Sequence, residues 1–266
     1  MPPRALRPVG VALVDKPAGP SSFAVVGAFR RLTGARTGHA GTLDPFATGL
    51  LILLSGAATR LAPCFVGLDK RYVTEVDLTS TTSTGDPEGE RLEEHPEPSR
   101  DELEATLERL RGEVELPVPA ASAVKIGGER AYRLARRGIA VEMPRRRMQV
   151  YALDVMGYGH GTVRLSLHVA SGTYVRAIAI ALGGHCTTLR RTAVGPFGID
   201  EAQLFGGAPA GNAPRDAGSG EEPQPPTLLG VSEALARLPA DAVARVPRNV
   251  IAGVLALDPG GDGAAA

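Results

Sequence analysis

Gly38-His39-Ala40-Gly41-Thr42-Leu43-Asp44-Pro45-Phe46-Ala47-Thr48-Gly49 runs directly into the apolar stretch Leu50-Leu51-Ile52-Leu53-Leu54, and this junction is the densest chemical signal in the chain. Gly38 and Gly41 give the loop backbone conformations closed to other residues and let a ligand backbone approach closely. Pro45 fixes its own φ and restricts Asp44 to extended geometry, so the carboxylate direction is set in advance. The apolar run is short enough for a core strand. A rigid carboxylate between a glycine loop and a buried strand suits a nucleophile. Taken alone, the same residues also fit a plain Asp-Pro turn.

Upstream, residues 9–14 (VGVALV) read as a buried strand, followed by the turn DKPAGP and a helix from Ser21 or Ser22 to about Leu32. Val25, Val26, Phe29 and Leu32 form the expected apolar face of that helix. Downstream, residues 57–66 read as a short helix, Tyr72–Thr79 as a strand and STGDPEGE as a polar turn. Ser99 and Glu102 form a capping box opening a helix that carries Leu103, Leu107 and Leu110. Residues 129–137 read as a basic helix closed by Gly138, and residues 148–155 and 162–170 alternate as strands. SGTYVRAIAIAL reads as a turn and helix capped by Ser171 or Thr173, and LRRTAVGPF as a last core strand. Helices and strands mix without regular βαβ alternation, which predicts an α+β fold around a large, mostly antiparallel mixed sheet flanked by helices.

The chain has 266 residues, long enough for one large domain or one domain with a small appendage. No apolar run approaches the roughly 18 residues of a membrane span, and MPPRALRPVG lacks the apolar core of a secretory signal. Cys64 and Cys186 are the only cysteines, which fits a reducing cytoplasm and excludes a disulfide framework. Formal net charge is zero, but the distribution is uneven. Between residues 125 and 147, Lys125, Arg130, Arg133, Arg136, Arg137, Arg145, Arg146 and Arg147 face only Glu129 and Glu142. That pattern fits a phosphate-tracking stripe or a solvated face. Lysine occurs only at Lys16, Lys70 and Lys125, a hint that a compact ammonium is needed there.

Two further segments carry candidate chemistry. In Gly172-Thr173-Tyr174-Val175-Arg176, Arg176 near a helix start either offers a planar fork to a carboxylate or is a surface arginine on an amphipathic helix. In Lys70-Arg71-Tyr72, Tyr72 enters a strand either as core packing or as a stacking platform for a base. The five histidines show no HxxxH or HExxH spacing, so no metal is expected. The hydrolase elbow GxSxG and the phosphate cradles GxGxxG and GxxxxGK[ST] are absent from the sequence. Residues 1–204 are expected to form the main domain, with a basic arm at about 120–150. A Gly/Pro-rich linker at 205–227, a short C-terminal remnant at 228–256 and a loose tail at 257–266 complete the expected organisation.

These segments together resemble the TruB type of pseudouridine synthase. GHAGTLDPFATGLL is similar to that family's motif II, GH(A/T)G(T/A)LDP.ATG.L, and DKPAGPSS to its motif I. KRYVTEVDLTSTTSTGDPEGE resembles its KRY strand and T.T.D..G turn, and SAVKIGGERAYRLARRGIAVEMPRRRMQVY its basic arm. SGTYVRAIAIAL and LRRTAVGPF resemble its GTY.R and LRR segments, so the likeness spans about residues 9–198 in the family's order.

The resemblance implies the pseudouridine synthase fold and isomerisation of uridine 55 in the tRNA T loop without cofactor; no guide RNA is expected, and a cytoplasmic monomer is the default expectation. It assigns Asp44 as catalytic aspartate, Arg176 as the arginine that pairs with it, Tyr72 as the residue stacking on the target base and Leu189 as lining the base pocket. His39 matches a histidine touching RNA near the flipped nucleotide. Gly41, Thr42, Tyr174, Arg130 and Arg137 fall in RNA-contacting motifs. Lys16 and Lys125 fall in motifs associated with either RNA contact or core structure. Three departures stand out: the segment 177–188 is shorter than the family's, PAASA replaces PP.(Y/F)SA, and the stretch after the linker is too short for an RNA-binding module of the PUA kind. A catalytically weak tRNA-binding folding chaperone of the same family is the alternative. A guide-RNA-dependent synthase of the dyskerin type and a carboxylate-dependent hydrolase rank lower.

Overall fold

The computed structural model of the chain describes residues 8–122, 124–131, 137, 142–205 and 224–258. It divides into two compact units, residues 1–70 with 190–266, and residues 71–189. The boundaries fall inside two strands, Lys70–Asp77 and His185–Val194.

The first unit begins with β1 (Gly10–Lys16), almost wholly buried. Helix α1 (Ser22–Thr33) follows. Its N-cap is Ser21, which accepts from the Ala24 amide, and Gly34 at φ 65 closes it by donating to the Arg30 carbonyl. Both ends thus have the residue types that satisfy orphaned helix groups. Val25, Val26 and Phe29 are buried as the periodicity predicts, whereas Leu32 in the last turn is 37% exposed.

β2 (Thr37–His39) and β3 (Thr48–Ser55) pair antiparallel, so residues 40–47 form the loop between them. β3 also runs antiparallel to β1, from Gly10 opposite Ser55 to Lys16 opposite Gly49. Leu50 to Leu54 have no exposed surface, the outcome expected of an unbroken apolar run covered on both faces. Arg190 and Arg191 pair in parallel with Thr48 and Gly49, and Gln203–Leu204 pairs in parallel with Val14 and Asp15.

The C-terminal stretch expected as a remnant contributes to this same core. Leu229 exchanges two backbone hydrogen bonds with Val11. The helices Val231–Ala236, Ala240–Val243 and Arg248–Leu255 and the turns between them bury Val231, Ala234, Leu238, Ala242, Val246 and Val254 with Val11, Leu13, Leu50, Ile52, Leu54, Phe65 and Phe197. Asp258 accepts from the Val231 amide and closes the segment. Most of the expected linker (206–223) and tail (259–266) lies outside the described residues.

In the second unit the strands Lys70–Asp77, Thr162–Val169, Arg145–Gly159 and Gly112–Pro117 lie side by side in that order. Arg145–Gly159 is antiparallel to both of its neighbours and is longer at both ends than the alternation at 148–155 suggests. The helix Arg100–Arg109 carries the predicted capping box, with Ser99 and Glu102 bonding each other's backbone amides.

Two local readings are corrected. Glu129–Arg130 is not the start of a helix but a strand paired with Lys125–Ile126, and Gly127 (φ 57) and Gly128 (φ 89) form the two-residue turn. A Gly-Gly pair supplies the two positive φ angles such a hairpin needs, and here it overrides helical propensity. Residues 132–136 and 138 of the expected helix lie outside the described residues. The helix of the GTY segment is Val175–Ala181, and its N-cap is Tyr174, with no side-chain cap bond. The architecture is α+β, with mixed pairing in the first unit and antiparallel pairing of Arg145–Gly159 with both its neighbours in the second.

Because Val254 has no exposed surface within the first unit's core, Val254→Ala is expected to lower stability by about 2 kcal/mol in urea denaturation. A change near zero would show the C-terminal helices to be an independent appendage.

Candidate functional site

Asp44 sits half-buried in the loop between β2 and β3, and the backbone around it is held on both sides. On the N-terminal side, the Ala40 amide donates to the Ile52 carbonyl at 3.0 Å. Arg191 donates from Nη2 to the Gly41 carbonyl (3.1 Å), from Nη1 to the Thr42 carbonyl (3.3 Å) and from Nε to the Leu50 carbonyl (2.7 Å). Ser22, buried at the start of α1, accepts from the Leu43 amide at 2.8 Å and donates to the Leu43 carbonyl at 2.9 Å. On the C-terminal side, Lys16 donates to the carbonyls of Pro45 (3.1 Å) and Ala47 (2.7 Å), and also to Pro17 (2.8 Å). The Gly19 amide donates to Pro45, and the Ala47 amide to Asp44 itself.

Three buried polar side chains therefore satisfy the main chain of a loop that has no ladder of its own. Buried backbone groups require such partners, and each partner removes one way for the loop to move. Asp44 is carried by a fixed backbone. Gly41 has φ 101, a left-handed conformation that favours glycine, and leaves room for Arg191 Nη1 and Lys70 Cε close by.

Lys16 has no exposed surface. Its ammonium donates to three loop carbonyls, an arrangement that fits the core alternative. Lys70 is likewise buried, donating to the Val66 and Leu68 carbonyls, whereas Lys125 is exposed. Two of the three lysines thus occupy sites where a compact ammonium with several donors fits.

Burial, reinforced by the Arg191 guanidinium, pushes the Lys70 ammonium down to about 8. His39, half-buried on β2, is held below the ordinary imidazole range, first by burial and then by Arg191. It stands edge-on to the Phe23 ring with centroids 5.2 Å apart. Its Nδ1 is buried without a hydrogen-bond partner.

In the second unit Arg176 is 3% exposed and forms an ion pair with Asp86, Nη1 to Oδ2 at 3.2 Å. It also donates to the carbonyls of Thr84 (2.8 Å) and Ala121 (2.9 Å). Asp86 is fixed in turn by the Thr84 hydroxyl and the Glu88 amide. Tyr72 is 8% exposed, on the strand face shared with Thr74 and Val76. Leu189 is buried, and Tyr174 is half-buried at the helix N-cap.

The basic arm carries more acid than the linear sequence suggests. Arg137 pairs with Glu129 at 2.7 Å, Arg145 with Glu115 at 3.6 Å and Arg147 with Glu113 at 3.7 Å. Glu113 and Glu115 come from the neighbouring antiparallel strand, which the charge count along the sequence could not anticipate. Exposed pairs of this kind contribute at most about 1 kcal/mol and are screened by salt, so the arginines can exchange them for phosphates. The Arg130 side chain lies outside the described residues. Among the described residues no cluster of His, Cys, Asp and Glu could hold a metal ion, and no helix is long and apolar enough to cross a membrane.

Three contributors went unrecognised in the sequence: Ser22, read only as a possible cap; Asp86, read only as part of a turn; and Arg191, read only as part of a strand. The conformation-bearing turn around Asp86 and the paired arginines were visible, but their partners are 90 and about 150 residues away in the chain.

The sequence model of the "TruB family pseudouridylate synthase (N terminal domain)" matches residues 30–175. Over 206 residues the chain is 43% identical to the tRNA pseudouridine synthase B of Mycobacterium sp. (strain KMS), covering 73% of this chain and 69% of that protein. It is 42% identical over 201 residues to the tRNA pseudouridine synthase B of Aromatoleum aromaticum, covering 73% and 65%. Among solved structures, a chain of a Cbf5-Nop10-Gar1 complex superimposes with a TM-score of 0.58 at 26% identity, covering 75% of this chain and 53% of that one. A chain of an archaeal box H/ACA sRNP Nop10-Cbf5 complex gives 0.55 at 25% identity, covering 77% and 54%. The chain spans about half the length of these two structural neighbours.

The lowered Lys70 ammonium has a signed consequence for stability. The unfolded chain keeps this proton up to about pH 10.4, whereas the folded chain releases it from about 8. Across that window the unfolded state binds more protons, so stability rises with pH. Wild type should gain about 2 kcal/mol between pH 8 and 10 relative to Lys70→Met, measured by urea denaturation. Parallel pH profiles for the two proteins would contradict this placement of Lys70.

Proposed function

The chain belongs to the TruB family of pseudouridylate synthases, and on that premise we propose that it isomerises uridine 55 in the T loop of tRNA to pseudouridine, with Asp44 as the nucleophile. The observation that carries this reading is the clamped loop, which fixes the backbone on both sides of Asp44. The reaction breaks the uracil C–N bond, turns the base over without releasing it and forms a C–C bond. Atoms and electrons balance within the nucleotide, so the reading requires no cofactor or group donor. The carboxylate acts ionised, either attacking ribose C1′ or assisting deprotonation at C2′.

Arg176 and Tyr72 take the roles that the motifs assign to them, charge stabilisation of the carboxylate and stacking on the target base. Taking the nucleotide out of the stack costs a few kcal/mol, and stacking on an aromatic ring returns about 1–3 kcal/mol. Leu189 lines the base pocket, and His39, Gly41, Thr42 and Tyr174 approach the RNA. Lys125, Arg130 and Arg137 grip phosphates of the folded T arm, so recognition depends on shape and loop more than linear sequence. The relatives from Mycobacterium and Aromatoleum aromaticum are tRNA pseudouridine synthases, which supports tRNA as the substrate.

Tritium release from C5-labelled uridine in an unmodified tRNA transcript tests the proposal. Wild type should release tritium with no guide RNA, and Asp44→Asn none, while tRNA binding by that variant stays nearly unchanged. Tyr72→Leu should lower kcat/KM by about 5- to 150-fold, the equivalent of about 1–3 kcal/mol of stacking. Binding without release by wild type would favour the folding-chaperone reading, and release by Asp44→Asn would remove Asp44 as nucleophile.

A further inference from the structure

We propose that Arg191 is a positioning residue for the isomerisation, its buried guanidinium fixing the Gly41–Thr42 backbone and so the direction in which Asp44 leaves the loop. This rests on the reading of Asp44 as the nucleophile. Arg191 is 1% exposed, the largest fully buried side chain of the protein's described residues. All three of its nitrogens give to main-chain carbonyls, two on the loop and one, Leu50, on β3. The fork therefore ties the segment just before Asp44 to the strand just after it.

A stabilising apolar residue would fill the same space without taking a charge out of water, which costs several kcal/mol. What the guanidinium adds is orientation, since its planar donors point in fixed directions from one rigid group. The surroundings are shaped for it. A Cβ at Gly49 (φ 103) would lie 2.2 Å from the Arg191 carbonyl, so glycine is required where the Arg191 backbone meets β3. A Cβ at Gly41 would stand 3.6 Å from Nη1. The adjacent Arg190 points the other way along the same strand and holds Asp15 with two bonds, at 3.1 and 2.7 Å. Two successive arginines thus do different work, one partly exposed on Asp15 and one buried under the loop.

Small displacements of a reacting group cost large factors in rate, up to about a hundredfold for 1 Å. A lysine at position 191 keeps the charge and three donors but gathers them on one atom of a flexible stem, so it does not reproduce the separate Nε, Nη1 and Nη2 bonds to Leu50, Thr42 and Gly41 that fix the loop's direction. Loss of the fork should therefore slow chemistry while leaving tRNA affinity intact, whereas a residue that only stabilises the fold would leave the rate of the folded protein unchanged.

The test uses the full-length chain with Arg191→Lys and Arg191→Met. Single-turnover tritium release at saturating tRNA is expected to fall by about tenfold or more in both. The tRNA Kd should stay within about threefold, and thermal melting should show Arg191→Lys folded. A single-turnover rate within about twofold of wild type in folded Arg191→Lys would overturn the proposal. Arg191→Met also removes a charge that holds the His39 imidazole down, so the His39 midpoint followed by NMR should move up. An unmoved midpoint would overturn the placement of Arg191 whatever the turnover. A wild-type protein silent on tRNA would instead refute the isomerase reading, with the His39 shift still reporting on the placement.

Discussion

The loop between β2 and β3 has no secondary structure of its own, yet it carries the carboxylate on which the proposed chemistry turns. Its backbone is held by side chains instead. Arg191 takes the carbonyls of residues 41 and 42, Ser22 takes both backbone groups of residue 43, and Lys16 takes the carbonyls of residues 45 and 47. These three come from a late strand, the start of α1 and the end of β1. The loop is thus rigid only if the first unit is folded. Pro45 adds a local restriction that needs no partner.

Such a loop is expensive. Two cations, Lys16 and Arg191, are withdrawn from water, and a third, Lys70, lies close enough to Arg191 to be pushed down by it. The carbonyl dipoles collected around the cations offset part of the cost. The second unit solves a similar problem differently, setting the Asp86 carboxylate against the buried Arg176, which also donates to two carbonyls. In both units the buried cation is held by main chain, which leaves little freedom in where its charge sits. That is the property a site needs if it is to act on a nucleotide already carrying its own charges.

Much of this was legible in the sequence, for identifiable reasons. The run Leu50–Leu54, the capping box at Ser99 and Glu102, and the ends of α1 are local signals, and each was where the pattern put it. The Asp-Pro loop was found because glycine and proline restrict the backbone locally. The three scarce lysines hinted at special sites, and two of them are buried on carbonyls. What stayed hidden depends on partners far apart in the chain. Nothing near Arg191 shows that it reaches Gly41, about 150 residues earlier. Glu113 and Glu115 meet the basic arm only because their strand pairs antiparallel with it. The Gly127–Gly128 hairpin is a different case, since the Gly-Gly signal was present and was outweighed by the helical look of the basic residues after it.

Native-state amide hydrogen exchange at Leu43 tests the clamped loop most directly. Its amide is bonded to the buried Ser22 hydroxyl, and the residue is 3% exposed. The account predicts exchange nearly as slow as that of the core amides of β3, because opening the loop requires opening the unit. Exchange at the pace of an open surface loop would mean that Asp44 is not held, and would contradict the account at its base.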